Sequence, residues 1–204
     1  MSASGSSNTI IAVIILAAGP SSRLGRPKQL LAFKGSTLVR HVVSMALQSC
    51  ADPVIVVTGA GHEAVAAALP ADSKIRLVEN REWREGIAAS IRAGIRSLPD
   101  AGISADAAIL AVCDQPDISA QLLNELVDVW MASGKPIVAS SYAGTMGTPV
   151  LFDKSLFPAL LALQCDTGAK KIIFQHPQQV ATVNFPQGFF DIDTPEQYEA
   201  LKGI

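Results

Sequence analysis

A short segment near the N-terminus combines the residue types that bind phosphate. Residues 16–28 read LAAGPSSRLGRPK. Glycine and other small residues let the backbone come close to a ligand, and consecutive N–H groups can then cradle phosphate oxygens. Arg23 and Lys28 add fixed positive charge at the same place. This composition predicts a phosphate-binding loop, and the alternative is an ordinary strand–helix turn whose charged side chains are solvated.

Two aspartates are candidates for a metal site. Asp114 follows the apolar run 107–112, and Mg²⁺ favours one or two carboxylates together with phosphate oxygens. Ser119 is better placed to cap the next predicted helix, so capping does not explain Asp114. Asp191 lies outside the capping box that begins at Thr194. The two carboxylates can share one cation if the C-terminal segment folds back onto the first half of the chain.

The segment 80–95 holds a weaker candidate for ligand binding. It reads NREWREGIAASIRAGI, with Gly86 and Ser90 at the start of a predicted helix. Backbone and hydroxyl groups there could hydrogen-bond a nucleobase, although a plain helix start is equally compatible with the spacing. The three histidines are scattered, and no Ser-His-Asp arrangement can be argued.

The elements that must position these residues follow from the apolar pattern. Continuous apolar runs without polar alternation are typical of strands buried on both faces, and apolar residues at spacings of three and four indicate helices. Their alternation predicts an open, mostly parallel sheet with helices on both faces, where ligands bind at the carboxyl ends of the strands. Residues 142–148 are expected to form a loop. The predicted strands are 10–16, 53–57, 74–78, 107–112, 136–139 and 180–183, and the predicted helices are 37–49, 63–69, 87–98, 119–131, 153–163, 168–174 and 195–201.

Length and composition bound the class of protein. The 204 residues are 49% hydrophobic and 17% charged, which predicts one globular domain over 10–204 after a disordered tail at 1–9. A net charge of −2 disfavours nucleic acid as a partner. The apolar run 10–18 is too short to span a bilayer, so we expect no membrane partner. Three cysteines without a CxxC spacing fit a reducing cytoplasm.

Three motifs together resemble the molybdopterin nucleotidyltransferase family. They are LAAGPSSRLGRPKQLL at 16–31, CDQP at 113–116 and DIDTPEQ at 191–197. The resemblance covers nearly the whole chain and is nearest to the cytidylyltransferase branch. It implies a three-layer α/β/α Rossmann-like nucleotidyltransferase fold with a mostly parallel sheet. It also implies Mg²⁺-dependent transfer of a nucleotide from a nucleoside triphosphate to the terminal phosphate of molybdopterin, with release of pyrophosphate.

The resemblance also implies roles for individual residues. Arg23 and Lys28 would neutralise charge during the reaction, and Asp114 and Asp191 would hold Mg²⁺. Alanine at position 18, where the guanylyltransferase branch has glycine, favours CTP. The implied nucleotide-binding residues are Leu16, Ala17, Ala18, Gly19, Ser21, Ser22, Arg23, Lys28, Asn80, Gly86 and Ser90. The implied acceptor-binding residues are Gln115, Pro116, Gly147, Thr148, Pro149, Asp166, Gly168 and Lys170.

The acceptor motifs depart from the family pattern at three positions. Thr148 stands where histidine is usual, Cys165 where glycine is common, and Lys170 where arginine is usual. Lysine cannot reproduce the bidentate phosphate recognition of arginine. The sequence therefore leaves open a nucleotidyltransferase that uses another small phosphorylated acceptor or GTP. It also leaves open a non-catalytic carrier that delivers molybdenum cofactor to a molybdenum hydroxylase apoenzyme.

Overall fold

A seven-stranded sheet organises the protein. The computed structural model describes residues 9–100, 102–192 and 194–202, so the predicted tail at 1–9 lies outside the described residues except for Thr9. The strands are β1 (Ile11–Ala17), β2 (Ala32–Phe33), β3 (Ser36–Thr37), β4 (Val54–Thr58), β5 (Ile75–Glu79), β6 (Ala107–Val112), β7 (Ile137–Tyr142), β8 (Thr145–Asp153) and β9 (Val180–Asn184). The helices are α1 (Leu38–Leu47), α2 (His62–Ala68), α3 (Ile87–Asp100), α4 (Ala120–Ser133), α5 (Phe157–Leu161), α6 (Lys170–Gln175) and α7 (Pro195–Lys202).

The sheet is mostly parallel, as predicted. Its order is β5-β4-β1-β6-β8-β7-β9, with β2 and β3 forming a separate hairpin. Strand β1 pairs in parallel with β4 and with β6, and β4 pairs in parallel with β5. Only β8, among the described strands of this sheet, runs antiparallel to its neighbours β6 and β7. The carboxyl ends of β1 and β6 therefore meet at one edge, where a ligand is expected.

The prediction of a loop at 142–148 is wrong, because most of this segment belongs to a β-hairpin. Strands β7 and β8 are joined at Ala143 and Gly144, whose φ angles of +47° and +74° suit a two-residue hairpin turn. The strand β8 that follows was not predicted as a strand at all. Glycine and proline are unusual inside strands, and they masked β8, which lies between β6 and β7 in the interior of the sheet.

Two hydrophobic cores lie on opposite faces of the sheet and make three layers. Val13 and Ile15 of β1 pack in one core with residues of α1, α2 and α4. Ile14 and Leu16 pack in the other core with residues of α3, α5 and α6. Successive side chains of a strand point to opposite faces, so the alternation along β1 serves both cores. The three-layer α/β/α Rossmann-like fold expected from the resemblance is confirmed.

The C-terminal segment folds back onto the first half of the chain. Thr194 and Gln197 form the predicted capping box of α7. The Thr194 N–H donates to the Gln197 side chain at 2.9 Å, and the Gln197 N–H donates to the Thr194 hydroxyl oxygen at 3.3 Å. Tyr198 in α7 is buried and donates its hydroxyl to the Ala32 carbonyl at 3.1 Å. Just before α7, the Ile192 N–H donates to the Asp114 carbonyl at 3.3 Å. These contacts bring Asp191 to the edge of the sheet where Asp114 lies.

None of the helices in the described ranges has the length and apolar character needed to cross a membrane.

Candidate functional site

A cavity of about 470 Å³ opens at the carboxyl ends of β1 and β6. Its lining includes the loop after β1, the residues after β6, the start of α3 and the loop before α6. Because α3 follows β5, and β5 and β6 lie on opposite sides of β1, the residues after β6 and the start of α3 form two ends of the cavity. The lining includes Leu16, Ala18, Gly19, Lys28, Gln29, Gly86, Ile87, Ser90, Asp114 and Asp166.

Lys28 and Asp114 meet at one end of this cavity. The Lys28 ammonium donates directly to Asp114 Oδ2, and the two side chains are 18% and 15% exposed. The pair joins residues 86 positions apart in the chain. A partly buried lysine held at the end of a cavity offers a preorganised positive charge to an anionic ligand.

The second oxygen of Asp114 is a candidate ligand for a divalent cation. Asp114 Oδ1 is buried and has no hydrogen-bond partner among the described residues. Burying an unpaired carboxylate oxygen costs free energy, and a hard divalent cation is a partner that would satisfy it. The described residues gather no cluster of three or more histidine, cysteine, aspartate or glutamate side chains. A cation held here by one or two carboxylates would take its remaining ligands from substrate oxygens and water, which suits Mg²⁺.

Asp191 lies in the same region as Asp114. The pKa of Tyr142 is raised by burial first, and the negative charges of Asp191 and then Asp114 shift it in the same direction. Both carboxylates thus act on one half-buried phenol. The structure brings the two predicted metal ligands to one corner of the sheet, through the backbone contact of Ile192 with Asp114.

Gln29 holds the loop after β1 and was missed by the sequence analysis. It is 1% exposed, and its amide donates to the carbonyls of Ala17 and Gly19 at 3.0 and 2.8 Å. Its Oε1 accepts from the Ser21 hydroxyl at 3.5 Å, while the Ser21 oxygen accepts from the Lys28 N–H at 3.0 Å. A polar residue between a lysine and two leucines carries no distinctive pattern, so only the contacts reveal this role.

The predicted loop residues do not all face the main cavity. Leu16, Ala18, Gly19 and Lys28 line it. Ser22 and Arg23 are exposed and line a neighbouring cavity of about 210 Å³ that shares Lys28 with the main one. Ala17 is buried beneath the loop, where its carbonyl receives the Gln29 amide.

The far end of the cavity is formed by Gly86, Ser90 and Asp166. Asn80 is buried behind them and donates to Ser90 Oγ at 3.1 Å, so it supports Ser90 rather than lining the cavity. Gly86 has a φ of +99°, and a Cβ placed on it would lie 2.3 Å from Asp166 Oδ1. Only glycine allows the two loops to approach this closely.

Half of the predicted acceptor residues form a second cluster around Tyr142, another residue that the sequence analysis missed. They are Gln115, Gly147, Thr148 and Lys170. Gln115 is 2% exposed, donates to the Gly188 carbonyl at 2.8 Å and accepts from the Thr148 hydroxyl at 3.1 Å. Hydrogen bonds of Tyr142 with these two side chains oppose the upward shift of its pKa. Lys170 Nζ lies 6.0 Å from the centre of the Tyr142 ring.

Glycine allows Tyr142 to occupy this position. A Cβ placed on Gly147 would lie 2.2 Å from the Tyr142 hydroxyl oxygen. The predicted residue Gly147 therefore makes room for the phenol.

Three other predicted acceptor residues contact residues other than Tyr142. The carbonyl of buried Pro149 accepts from the Ser140 hydroxyl at 2.7 Å. The carbonyl of buried Pro116 lies 3.0 Å from His41 Nε2, and burial lowers the pKa of His41. Gly168 lies below Ile87, with an added Cβ 3.8 Å from that side chain. Asp166, in contrast, lies on the wall of the main cavity.

Comparison with known proteins finds one family over most of the chain. The family described as MobA-like NTP transferase domain matches residues 13–180. Nicotine blue oxidoreductase of Paenarthrobacter nicotinovorans is 30% identical over 201 residues, covering 92% of this chain and 94% of that protein. The purine catabolism protein PucB of Bacillus subtilis is 29% identical over 198 residues, covering 93% and 94%. The molybdenum cofactor cytidylyltransferase of Escherichia coli is 22% identical over 189 residues, covering 93% and 94%.

Solved structures are also similar to this protein over nearly its whole length. The crystal structure of Rv0371c from Mycobacterium tuberculosis H37Rv is 31% identical, with a TM-score of 0.80 over 96% of this chain and 98% of that one. A complex of Rv0371c with manganese is 28% identical, with a TM-score of 0.75 over 95% and 98%. The relatives bear names of different activities, so their similarity does not decide the substrate.

Proposed function

The chain belongs to the family of MobA-like NTP transferase domains, and on this basis we propose that it transfers CMP from CTP to the terminal phosphate of molybdopterin. Pyrophosphate is the second product. One observation carries the proposal. The unpaired buried oxygen of Asp114 lies beside the Lys28 ammonium at the end of a ligand-sized cavity. A metal–triphosphate complex satisfies both groups at once, because the cation meets the carboxylate and the phosphates meet the ammonium.

The reaction brings two anions together, so positioning and charge neutralisation supply the catalysis. An oxygen of the terminal phosphate of molybdopterin attacks the α-phosphorus of CTP in line. A new P–O bond forms as the bond between the α-phosphorus and the bridging oxygen of the β-phosphate breaks, and pyrophosphate leaves with the electron pair. Lys28 would stabilise the negative charge that develops, and Arg23 would bind the triphosphate at the neighbouring cavity. No protonated general acid is needed.

Asp114 and Asp191 are the residues that would hold the divalent metal. When bound, the metal neutralises the triphosphate and polarises the phosphoryl group that is transferred. The unpaired oxygen of Asp114 fits this role, and the manganese complex of Rv0371c supports a divalent ion in a related protein. We propose Mg²⁺ as the ion used by this chain.

CTP and molybdopterin are the finer part of the proposal. Ala18 lines the cavity, where the resemblance associates alanine with CTP. The similarity to a molybdenum cofactor cytidylyltransferase supports molybdopterin as the acceptor. The free cysteines Cys50, Cys113 and Cys165 fit a reaction in the reducing cytoplasm. Delivery of the product to a molybdenum hydroxylase apoenzyme would follow.

The first experiment measures thermal unfolding with Mg²⁺ and each of CTP, GTP, ATP and UTP. At about 100 times Kd a ligand adds roughly 2.7 kcal/mol of stability, which for a chain of this size raises Tm by about 5–10 °C. We expect this rise with CTP and its loss in Asp114→Ala. Asp128→Asn, an exposed change on α4, is the matched control and should retain the rise.

A second assay measures CMP transfer from labelled CTP to molybdopterin and the release of pyrophosphate. Transfer with CTP supports the proposal. A Tm rise and transfer with GTP instead would assign the chain to guanylyl transfer, and nucleotide binding without transfer to molybdopterin would point to another phosphorylated acceptor. Binding of molybdenum cofactor without any nucleotide effect would make the non-catalytic carrier the better account.

A further inference from the structure

We propose that Asp166 is the residue that reads the nucleobase, by accepting a hydrogen bond from an exocyclic amine. The substrate class is then a nucleoside triphosphate with an amino-bearing base, and a base without that amine is disfavoured. The inference rests on the proposed function, because it assumes that a nucleoside triphosphate occupies the main cavity. It changes the role of Asp166, which the resemblance places with the acceptor.

The geometry places Asp166 at the end of the cavity away from the charged pair. Asp114, which pairs with Lys28, follows β6, whereas Gly86, which packs against Asp166, follows β5. These two strands lie on opposite sides of β1 in the sheet, so the Lys28–Asp114 pair forms the first end of the cavity and Gly86 with Asp166 forms the second. Phosphates bound at the first end direct the ribose and base toward the second. The base therefore reaches the wall where the Asp166 carboxylate lies.

The loop that carries Asp166 is held against the start of α3. The Ala88 N–H donates to the Cys165 carbonyl at 3.2 Å, and the Thr167 N–H donates to the Gln164 carbonyl at 3.2 Å. A Cβ on Gly86 would lie 2.3 Å from Asp166 Oδ1 and 2.7 Å from the Cys165 carbonyl oxygen. The backbone of this loop is thus held against the helix start, and the exposed Asp166 carboxylate lies beside Gly86.

The chemistry of the wall matches one donor and one acceptor on a base. The structure assigns Asp166 no hydrogen bond or ion pair within the described residues, and an ionised carboxylate only accepts hydrogen bonds. Ser90 Oγ already accepts from Asn80 Nδ2 at 3.1 Å, so its own proton is left to donate into the cavity. The edge of cytosine offers the amine for Asp166 beside the acceptor N3 for Ser90. Uracil presents a carbonyl where cytosine has its amine, and this carbonyl would face the carboxylate.

The test compares nucleotides that differ at the amine, with Mg²⁺ and without any acceptor. Calorimetry measures Kd for CTP against UTP and for GTP against ITP, so the test does not depend on which amino-bearing base is used. A hydrogen bond to a charged group predicts that the wild type binds the amino-bearing nucleotide about ten- to a hundredfold more tightly. Asp166→Asn should reduce this ratio to within about threefold, because an amide can both donate and accept.

The controls separate this inference from the proposed function. Asp166 is exposed, so the isosteric change is expected to fold, and Asp128→Asn on the outer face of α4 should keep the wild-type ratio. If Asp166→Asn weakened the binding of both nucleotides of a pair equally, Asp166 would contact the ribose or act through its loop. That result would overturn this inference and leave the proposed function standing. A wild type that binds both members of each pair equally would do the same. A wild type that binds no nucleotide at all would overturn the proposed function and this inference with it.

Discussion

Replacing Gln29 by methionine tests whether the loop after β1 is positioned by one buried amide. Methionine has a similar length and no polar donor, so Gln29→Met removes the hydrogen bonds to the carbonyls of Ala17 and Gly19, which are 3.0 and 2.8 Å long. It also removes the acceptor for the Ser21 hydroxyl. The same loop carries the Lys28 backbone, which is bound to Ser21.

The size of the effect follows from the two carbonyls that lose their partner. A buried carbonyl left unsatisfied costs about 1–3 kcal/mol. Water can reach Gly19, which lines the cavity, more easily than Ala17, which is 1% exposed. We therefore expect the free energy of unfolding to fall by about 2–4 kcal/mol. For a chain of this length that corresponds to a Tm lower by about 5–15 °C.

The kinetic effect should be confined to the nucleotide. Misplacing a binding loop by about 1 Å can cost roughly a hundredfold, so we expect KM for CTP to rise about ten- to a hundredfold. KM for the acceptor should change little. Steady-state rates at a temperature where the variant is fully folded, with each substrate varied in turn, measure the two constants.

Gln115→Met is the matched control. Gln115 is also a buried amide that directly follows a charged site residue, and it donates to the Gly188 carbonyl at 2.8 Å. Its contacts lie in the cluster around Tyr142, so its loss should raise KM for the acceptor instead. Equal effects of the two variants on CTP would show general loosening of the fold and would refute the positioning role of Gln29.

Four further predictions test single groups. Lys28→Ala should lower kcat by about 10²–10³, and turnover within about twofold of wild type would remove its assigned role. Gly86→Ala should weaken nucleotide binding in calorimetry, because residue 86 has a φ of +99° and the added methyl group would collide with Asp166. Unchanged affinity would contradict the close approach of the two loops. Burial raises the pKa of the Cys113 thiol to about 12, so a thiol reagent at pH 8 should modify only the two exposed cysteines of the native protein, and native reaction of all three would be contrary to the structure. The hydrogen bond from Lys154, and then the backbone N–H of Ile10, lower the pKa of Asp106 from its ordinary value. This group therefore stabilises the fold above its unfolded pKa and loses that contribution as pH falls through its folded pKa. Asp106→Asn should lose less stability than wild type between pH 7 and pH 3 in urea titrations, and equal losses would contradict this.

Elements with local signals were predictable from the sequence. The apolar runs identified β1, β4, β5 and β6 to within a residue at each end, because strands buried on both faces need continuous apolar side chains. Thr194 and Gln197 predicted the start of α7, because a capping box is a contact between residues three positions apart in the sequence. The small and basic residues at 16–28 predicted a ligand-binding loop, and several of them line the main cavity, but phosphate binding by this loop stays a prediction.

Strand β8 could not be predicted in the same way. Its glycine and proline residues have poor strand propensity, and its place between β6 and β7 comes from tertiary pairing. The two-residue turn at Ala143 and Gly144 resembled an extended loop because no regular pattern flanked it. Pairing partners of a strand are set by the whole sheet and are not written in the strand itself.

The composition of the site was likewise decided by the tertiary structure. Sequence analysis could nominate Lys28 and Asp114 separately, but only the parallel pairing of β1 with β6 brings their side chains into contact across 86 positions. The same holds for Asp166, which the packing of its loop against Gly86 places on the cavity wall. Residue type determines what chemistry a side chain can perform. Whether a buried polar atom has a hydrogen-bond partner is determined by how distant segments of the chain pack together.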